Sequence, residues 1–186
     1  MDYADKFDQA LSYDEFLAKY GSDEHQRRWK EFHAELKLSD ARRSLIAGFT
    51  RELRVLCLAG AWCGDCVNQC PIFQRFAEVN DRIKLRFVDR DDHPDLQEHL
   101  SIGGGKRVPV VVFLSEENKF IGAYGDKTLT AYRKLASGLG GAACATGLTK
   151  PEESYLDGVV QDWLDQFERM QLLLRLSPRL RQIHGD

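Results

Sequence analysis

The chain has 186 residues, with 29 acidic against 26 basic side chains and a formal net charge of −3. A hydrophobic fraction of 43% beside 30% charged residues suits one domain, or one domain with an appended helical layer, and excludes wholesale disorder. The near-balanced charge argues against gripping nucleic acid or anionic membrane, and the longest uncharged stretch, Leu135 to Thr149, is too short and glycine-rich to span a bilayer.

From Asp2 to about Gly48 the pattern is helical and charged. Ser12 and Glu15 have capping-box spacing, Gly21 is a stop signal, and Ser22 and Ser39 are candidate N-caps. Trp29, Phe32, Leu36 and Leu38 give a rough apolar stripe, with Arg27, Arg28, Lys30 and Glu31 facing outward. This reads as a surface helix packing one face on a core, in preference to a basic binding patch. The opening residues, MDYADKFDQALSYDEF, scatter Asp and Lys where a secretory signal needs a basic start and an apolar run. With Met1 as the natural start, the expected location is the cytoplasm.

The character changes between about Leu53 and Ser137. Val55 to Ala59 is a short apolar run suited to a buried strand. Asp65 to Val79 is helical in pattern, with Val67, Cys70, Phe73, Phe76 and Ala77 roughly on one side. Ile83, Leu85 and Phe87 alternate with Lys84 and Arg86 as a second strand, Pro94 to Leu100 suits a short helix, and Val108 to Leu114 a third strand. Phe120 to Tyr124 follows as a fourth strand across a hairpin-length polar turn, Ser115 to Lys119. Asp126 is expected to cap a helix running to about Ser137. The order β-α-β-α-β-β-α predicts a sheet with a parallel part made by crossovers and an antiparallel edge hairpin. No internal repeat emerges.

A glycine-rich connector, Gly138 to Gly147, leads to a long helix beginning near Pro151. Leu156, Val159, Val160, Trp163, Phe167, Met170 and Leu174 recur every three or four residues. Acids (Glu152, Glu153, Asp157, Asp162, Asp165, Glu168) fill its first half and arginines (Arg169, Arg175) follow, matching the helix dipole. The stripe is expected to dock on the protein's own core or N-terminal helices, which gives a monomer; the alternative is a homodimer seam along this helix.

Five cysteines are present, and four of them, Cys57, Cys63, Cys66 and Cys70, fall within fourteen residues. An odd, clustered set is a poor disulfide framework, and in a reducing compartment it reads as catalytic or metal-binding. Trp62-Cys63-Gly64-Asp65-Cys66 directly follows the first apolar strand and opens a helix. Two cysteines so spaced can close a disulfide within one turn. The first sits where unsatisfied N–H groups and the positive helix end favour a thiolate, the attacking species in disulfide exchange.

Here the chain resembles the thioredoxin superfamily, over about Leu53 to Ser137. Ala61-Trp62-Cys63-Gly64-Asp65-Cys66 together with Val108-Pro109 carries the resemblance. It implies a cis proline at Pro109 facing the cysteine pair, and Pro71 matches the family's proline kink in the active-site helix. The helical extensions look like those of thioredoxin-like bacterial proteins with an N-terminal helical layer. The resemblance also shows departures. The family's proline before the second cysteine is Asp65 here, and its buried acid on the preceding strand falls at Cys57. A carboxylate at position 65 opposes a neighbouring thiolate, so Cys63 should be less acidic than with proline there. The proton-handling role of the buried acid is vacant or moved to Asp65.

Cys57 by itself reads as a small apolar core residue. Cys70 reads as a buried thiol; its sharper readings are a second resolving thiol or a third metal ligand beside Cys63 and Cys66. Cys144 could join only if the connector folds back, and three sulfurs at one helix start make a poor closed zinc site. Gly103-Gly104-Gly105-Lys106 lacks phosphate-loop spacing, and Arg107 stands where Ser or Thr is needed, so it reads as a flexible loop before Pro109. Asp89, Asp91, Asp92 and His93 read as a solvated turn capping the next helix.

The expectation is an α/β chain with a thioredoxin-like fold, a mixed four- to five-stranded sheet flanked by helices, added N-terminal helices and a long C-terminal helix. Residues 1–50 form the N-terminal extension, 51–138 the thioredoxin-like domain, and 139–186 the connector and C-terminal helix. Its expected function is thiol–disulfide exchange on protein or small-molecule disulfides. Cys63 is the nucleophile, Cys66 the resolving thiol, Trp62, Gly64 and Asp65 support them, and Val108 and Pro109 bind substrate. No cofactor or metal is required. The expected partners are a disulfide-containing protein and a reductase or small thiol, with no nucleic acid or membrane. The alternative is a non-catalytic thioredoxin-like module that binds a partner or a metal.

Overall fold

The computed structural model describes residues 1–138 and 153–185. Cys144, most of the glycine-rich connector, Pro151 and Glu152 lie outside the described residues.

Four helices come first: α1 (Tyr3–Gln9), α2 (Tyr13–Tyr20), α3 (Asp23–Glu35) and α4 (Asp40–Ala47). Their starts follow the local chemistry read above. Ser12 and Glu15 close a capping box on α2, and Ser22 and Ser39 cap α3 and α4. Three features differ from expectation. His25 fills the acidic position of a capping box on α3, Asp2 serves as an N-cap on α1 that was not among the cap candidates, and of the expected α3 stripe Leu36 and Leu38 lie beyond the helix end.

The sheet is built from β1 (Leu53–Ala59), β2 (Ile83–Asp89), β3 (Val110–Ser115) and β4 (Phe120–Gly125), in the order β2-β1-β3-β4. It is a mixed, thioredoxin-like sheet of four strands. β1 pairs parallel with β2 and antiparallel with β3, and β3 with β4 form the antiparallel edge hairpin. The crossover from β1 to β2 is α5 (Gly64–Val79), and α6 (Pro94–His99) lies between β2 and β3. Leu11 exchanges two backbone hydrogen bonds with Phe87 on the outer side of β2, at 2.9 and 2.7 Å. That bridge covers part of an otherwise open sheet edge.

The last helix of the middle zone, α7 (Leu129–Ser137), starts later than expected, with Thr128 instead of Asp126 as its N-cap. Asp126 is buried and accepts side-chain bonds from Tyr132 and Arg107, so its carboxylate is not free to cap. The long helix α8 (Glu153–Arg175) is followed by a short α9 (Pro178–His184) that the apolar periodicity did not reveal.

Two aromatic clusters join the terminal helices to the sheet. On one side Tyr13, Phe16 and Trp29 surround Phe87 of β2 at centroid distances of 5.5 to 6.3 Å. On the other, Phe167 of α8 meets Phe73 and Phe76 of α5 and Phe113 of β3 at 5.2 to 6.0 Å. Val159, Val160, Trp163, Phe167, Met170 and Leu174 are all buried, so the stripe on α8 docks on the chain's own core. Trp163 also donates from Nε1 to Gln69 Oε1 at 2.8 Å, and Gln69 donates in turn to the Asp126 carbonyl at 3.1 Å. Each buried polar atom there has a partner, without which desolvation costs about 1–3 kcal/mol.

Candidate active site

The cysteine pair lies where the C-terminal end of β1 turns into α5. Cys63 is the N-cap residue, Gly64 the first helical residue, and Cys66 lies on the first turn facing inward. Helix α5 continues through Pro71, whose missing N–H leaves one helical bond unmade. All four described cysteines are free thiols. Both are buried, but Cys63 retains 6% exposure and Cys66 none, so Cys63 is the one nearer the surface.

The hydrogen bonds set the charge preference. Gly60 N–H donates to Cys66 Sγ at 3.5 Å, whereas the single S–H proton of Cys63 has two competing acceptors, the Val108 carbonyl at 3.7 Å and Cys66. An acceptor facing Cys63 favours its protonated form, and a donor facing Cys66 favours thiolate. Burial works against charge on Cys66, but S–H donors from Cys63 and Cys70 together with the Gly60 N–H bring it down to about 5. The Cys63 thiol is pushed up, first by its bond to Cys66, then by burial and the charge on Cys66. The Cys66 backbone N–H pulls the other way, yet Cys63 closes no side-chain cap on the helix. The two directions are opposite, down at Cys66 and up at Cys63, so the pair titrates as a coupled unit and ionisation is not favoured at Cys63 as its position at the helix start suggested.

Asp65 differs from expectation as well. It is 8% exposed, and its Oδ2 lies 2.5 Å from Lys127 Nζ, which also approaches Asp126 at 3.8 Å. The ammonium offsets much of the repulsion that a lone carboxylate would exert on the thiols. Lys127 sits between Asp126 and Thr128, in the turn from β4 to α7, where nothing in its sequence surroundings marks it.

Trp62 is 44% exposed and covers Gly60, where an added Cβ would meet its Cε2 at 2.9 Å. A side chain at position 60 would have to push the indole away from its seat, and Arg90 stacks on the ring at 4.6 Å. Val108 and the cis Pro109 stand across from Cys63. The structure thus brings Trp62, Cys63, Gly64, Asp65, Cys66, Val108 and Pro109 together at one end of the sheet.

Several neighbours escaped sequence reasoning. Trp29, read only as part of an apolar stripe, donates from Nε1 to the Ala61 carbonyl at 2.9 Å and so ties α3 to the loop that carries the cysteines. The acidic turn after β2 closes no side-chain cap on α6, contrary to expectation; instead Asp92 accepts from Tyr20 at 2.6 Å, and His93 and Asp95 meet Lys6. That turn therefore pins α1 and α2. The Gly103–Gly105 loop is a tight turn closed by an Ile102–Gly105 bridge, with φ of 58° and 74° at Gly103 and Gly104. Among the described residues no group of three or more His, Cys, Asp or Glu side chains is arranged to hold a metal ion.

These features define a thioredoxin-like protein. A thioredoxin family model matches residues 10–132, and the chain belongs to that family. A Pseudomonas aeruginosa protein of unknown function shares the fold at a TM-score of 0.71 and 21% identity, over 91% of this chain and 99% of that one. An HIV epitope scaffold aligns at a TM-score of 0.68 and 20% identity, over 91% of this chain and 96% of its own. Alignments of that extent take in the terminal helices, which are part of the shared architecture. No curated protein sequence matches the chain. Among the described residues no helix is long and apolar enough to cross a membrane.

Proposed function

We propose that the protein is a thiol–disulfide oxidoreductase working through the Cys63–Cys66 dithiol. The observation that carries this reading is the pair itself: two interacting free thiols, one with slight exposure and one wholly buried behind it. Cys63 is the nucleophile because it alone can be reached. As a disulfide substrate docks, the proton moves from Cys63 to Cys66, and the Cys63 thiolate attacks one substrate sulfur. Cys66 then attacks the Cys63 sulfur, forming the intramolecular disulfide and releasing the second substrate thiol. The Val108 carbonyl and Pro109 supply a ledge against which an extended substrate can lie, and Trp62 shields the pair. A reductase or a small thiol of the cytoplasm returns the electrons, and no bound cofactor takes part.

Replacing Cys66 with Ser tests the assignment. Mixed disulfides through Cys63 should accumulate with a model protein disulfide, while the wild-type protein catalyses its dithiol-driven reduction in the presence or absence of chelators. Trapping through Cys66 in a Cys63→Ser variant instead would reverse the roles. Stoichiometric bound zinc or iron that slows the thiols would replace the redox reading with a metal site.

A further inference from the structure

Cys57 and Cys70 take no part in the exchange just described, yet their position is not that of isolated core residues. Cys57 lies in the middle of β1, and Cys70 lies one turn beyond Cys66 on α5, the helix packed across that strand. Their sulfurs are 3.8 Å apart. Both side chains have 0% exposure, so no solvent path leads to either. Cys70 also interacts with Cys66. Cys63, Cys66 and Cys70 follow one another at i, i+3 and i+4 spacing along one side of the start of α5, and Cys57 meets the last of them, so the four thiols lead from the loop before the helix into the core. Helical spacing and a strand side chain directed at that helix bring them together.

We infer that Cys57 and Cys70 form a second redox pair, filled through Cys66, so that the protein stores four electrons instead of two. This rests on the exchange reading proposed for Cys63 and Cys66. A substrate disulfide first oxidises Cys63 and Cys66 and leaves as two thiols. The Cys70 thiolate then attacks the Cys66 sulfur; the Cys66–Cys70 bond forms, the Cys63–Cys66 bond breaks, and Cys63 leaves as thiolate, taking up the proton that Cys70 gave. Next the Cys57 thiolate attacks the Cys70 sulfur. The Cys57–Cys70 bond forms, Cys66 leaves as thiolate, and the proton from Cys57 returns to the surface pair. The net result is one buried disulfide and a regenerated Cys63–Cys66 dithiol, ready for a second substrate disulfide. The inner sulfurs need only close from 3.8 Å to about 2.0 Å, through side-chain rotation. Burial pushes both the Cys57 and the Cys70 thiol up, which makes their thiolates scarce and the inward transfer slower than oxidation of the surface pair.

The test uses the full chain and oxidised glutathione, a disulfide too bulky to enter the core. Reduced protein is exposed for increasing times, quenched in acid, alkylated in denaturant and mapped by peptide mass spectrometry. The expected course is biphasic: Cys63 and Cys66 lose their thiols first, and a Cys57–Cys70 disulfide follows at least tenfold more slowly. In Cys66→Ser, Cys63 should become glutathionylated while Cys57 and Cys70 stay alkylatable. If the wild-type protein forms the Cys63–Cys66 disulfide and Cys57 and Cys70 remain thiols at long exposure, the second pair is overturned and the exchange reading stands. If Cys57–Cys70 forms in Cys66→Ser, the route through Cys66 is overturned. Failure of Cys63 and Cys66 to oxidise at all overturns both.

Discussion

Lys127 Nζ and Asp65 Oδ2 meet at 2.5 Å beneath the cysteine loop, with both side chains largely withdrawn from solvent. A buried carboxylate deprived of its ammonium partner costs about 3–5 kcal/mol, far more than an exposed pair is worth. Lys127→Met should therefore destabilise the fold by about that amount, read from denaturant midpoints. The same pair also acts on the dithiol, because the Asp65 charge opposes a thiolate at either Cys63 or Cys66, a smaller effect than their hydrogen bonds and burial. Asp65→Asn should lower the pH at which the first thiolate appears, and Lys127→Met should raise it. Ultraviolet thiolate absorbance measures both, and shifts in the same direction would remove the role assigned to the pair.

Trp29 holds the cysteine loop from the opposite side. Its indole has no exposure and bonds the Ala61 carbonyl, immediately before Trp62. Trp29→Phe preserves most of the apolar volume but leaves that carbonyl without its donor. The expected loss is about 1–3 kcal/mol in chemical unfolding. Reduction of a model disulfide should slow as the loop loosens. Unchanged unfolding midpoints would mean that water replaces the indole without cost.

What could be read in advance followed from local physics. The capping residues Ser12, Ser22 and Ser39, the valine run of β3 and the stripe from Val159 to Leu174 each carry their structural meaning within a few neighbouring positions. The cysteine pair was equally legible, because spacing and the preceding strand define it. Long-range partners were not. Lys127 is 62 residues from Asp65, and Gln69 is 94 from Trp163, so no local pattern links either pair. Asp126 looked like a helix cap because capping preference is a local rule, whereas Arg107 and Tyr132 claim its carboxylate through tertiary packing. The reading of Cys63 weighed two local effects, the helix end and the Asp65 carboxylate, and both lie within one turn of it. What holds its proton is the buried thiol of Cys66 and the burial of the pair, with the Val108 carbonyl, 45 residues away, as a further acceptor.

The thiols also make stability depend on pH. Cys66 is brought down to about 5 in the folded protein, while an unfolded thiol titrates near ~8.5. Between those values the unfolded chain binds the extra proton, so stability rises with pH; this contribution is complete above ~8.5 and lost as pH falls through about 5. Cys57, Cys63 and Cys70 are all raised, so they act in the opposite sense. Above ~8.5 the unfolded chain releases protons that the folded one keeps, and stability declines. The reduced protein should therefore show a maximum in unfolding free energy between these limits. Cys66→Ala should lose the rising limb and keep the falling one, when both proteins are unfolded in denaturant across the pH range. A rising limb that survives in the variant would assign it to other groups.

Alkylation rates give the most direct view of the shared proton. Cys63 is the one residue of the four described cysteines with any exposure, so a small haloacetamide should modify it first in the native reduced protein and leave Cys57, Cys66 and Cys70 until unfolding. The charge of the pair rests mainly on Cys66, and the Cys63 thiolate is the minor form of the same singly ionised dithiol. Its population relative to the Cys66 thiolate is fixed by a tautomer ratio that does not change with pH. The rate at Cys63 must therefore follow the ionisation of the pair. It should rise with a midpoint at about 5 and level off through neutrality, although Cys63 itself is pushed up. Removing the partner abolishes this behaviour. In Cys66→Ser no thiolate forms behind Cys63, the proton has nowhere to move, and the midpoint should climb to the ordinary thiol value of ~8.5 or beyond. Peptide mapping at each pH measures both profiles. A wild-type midpoint near ~8.5 would show that the two sulfurs titrate independently, and the shared-proton description of the site would then be wrong.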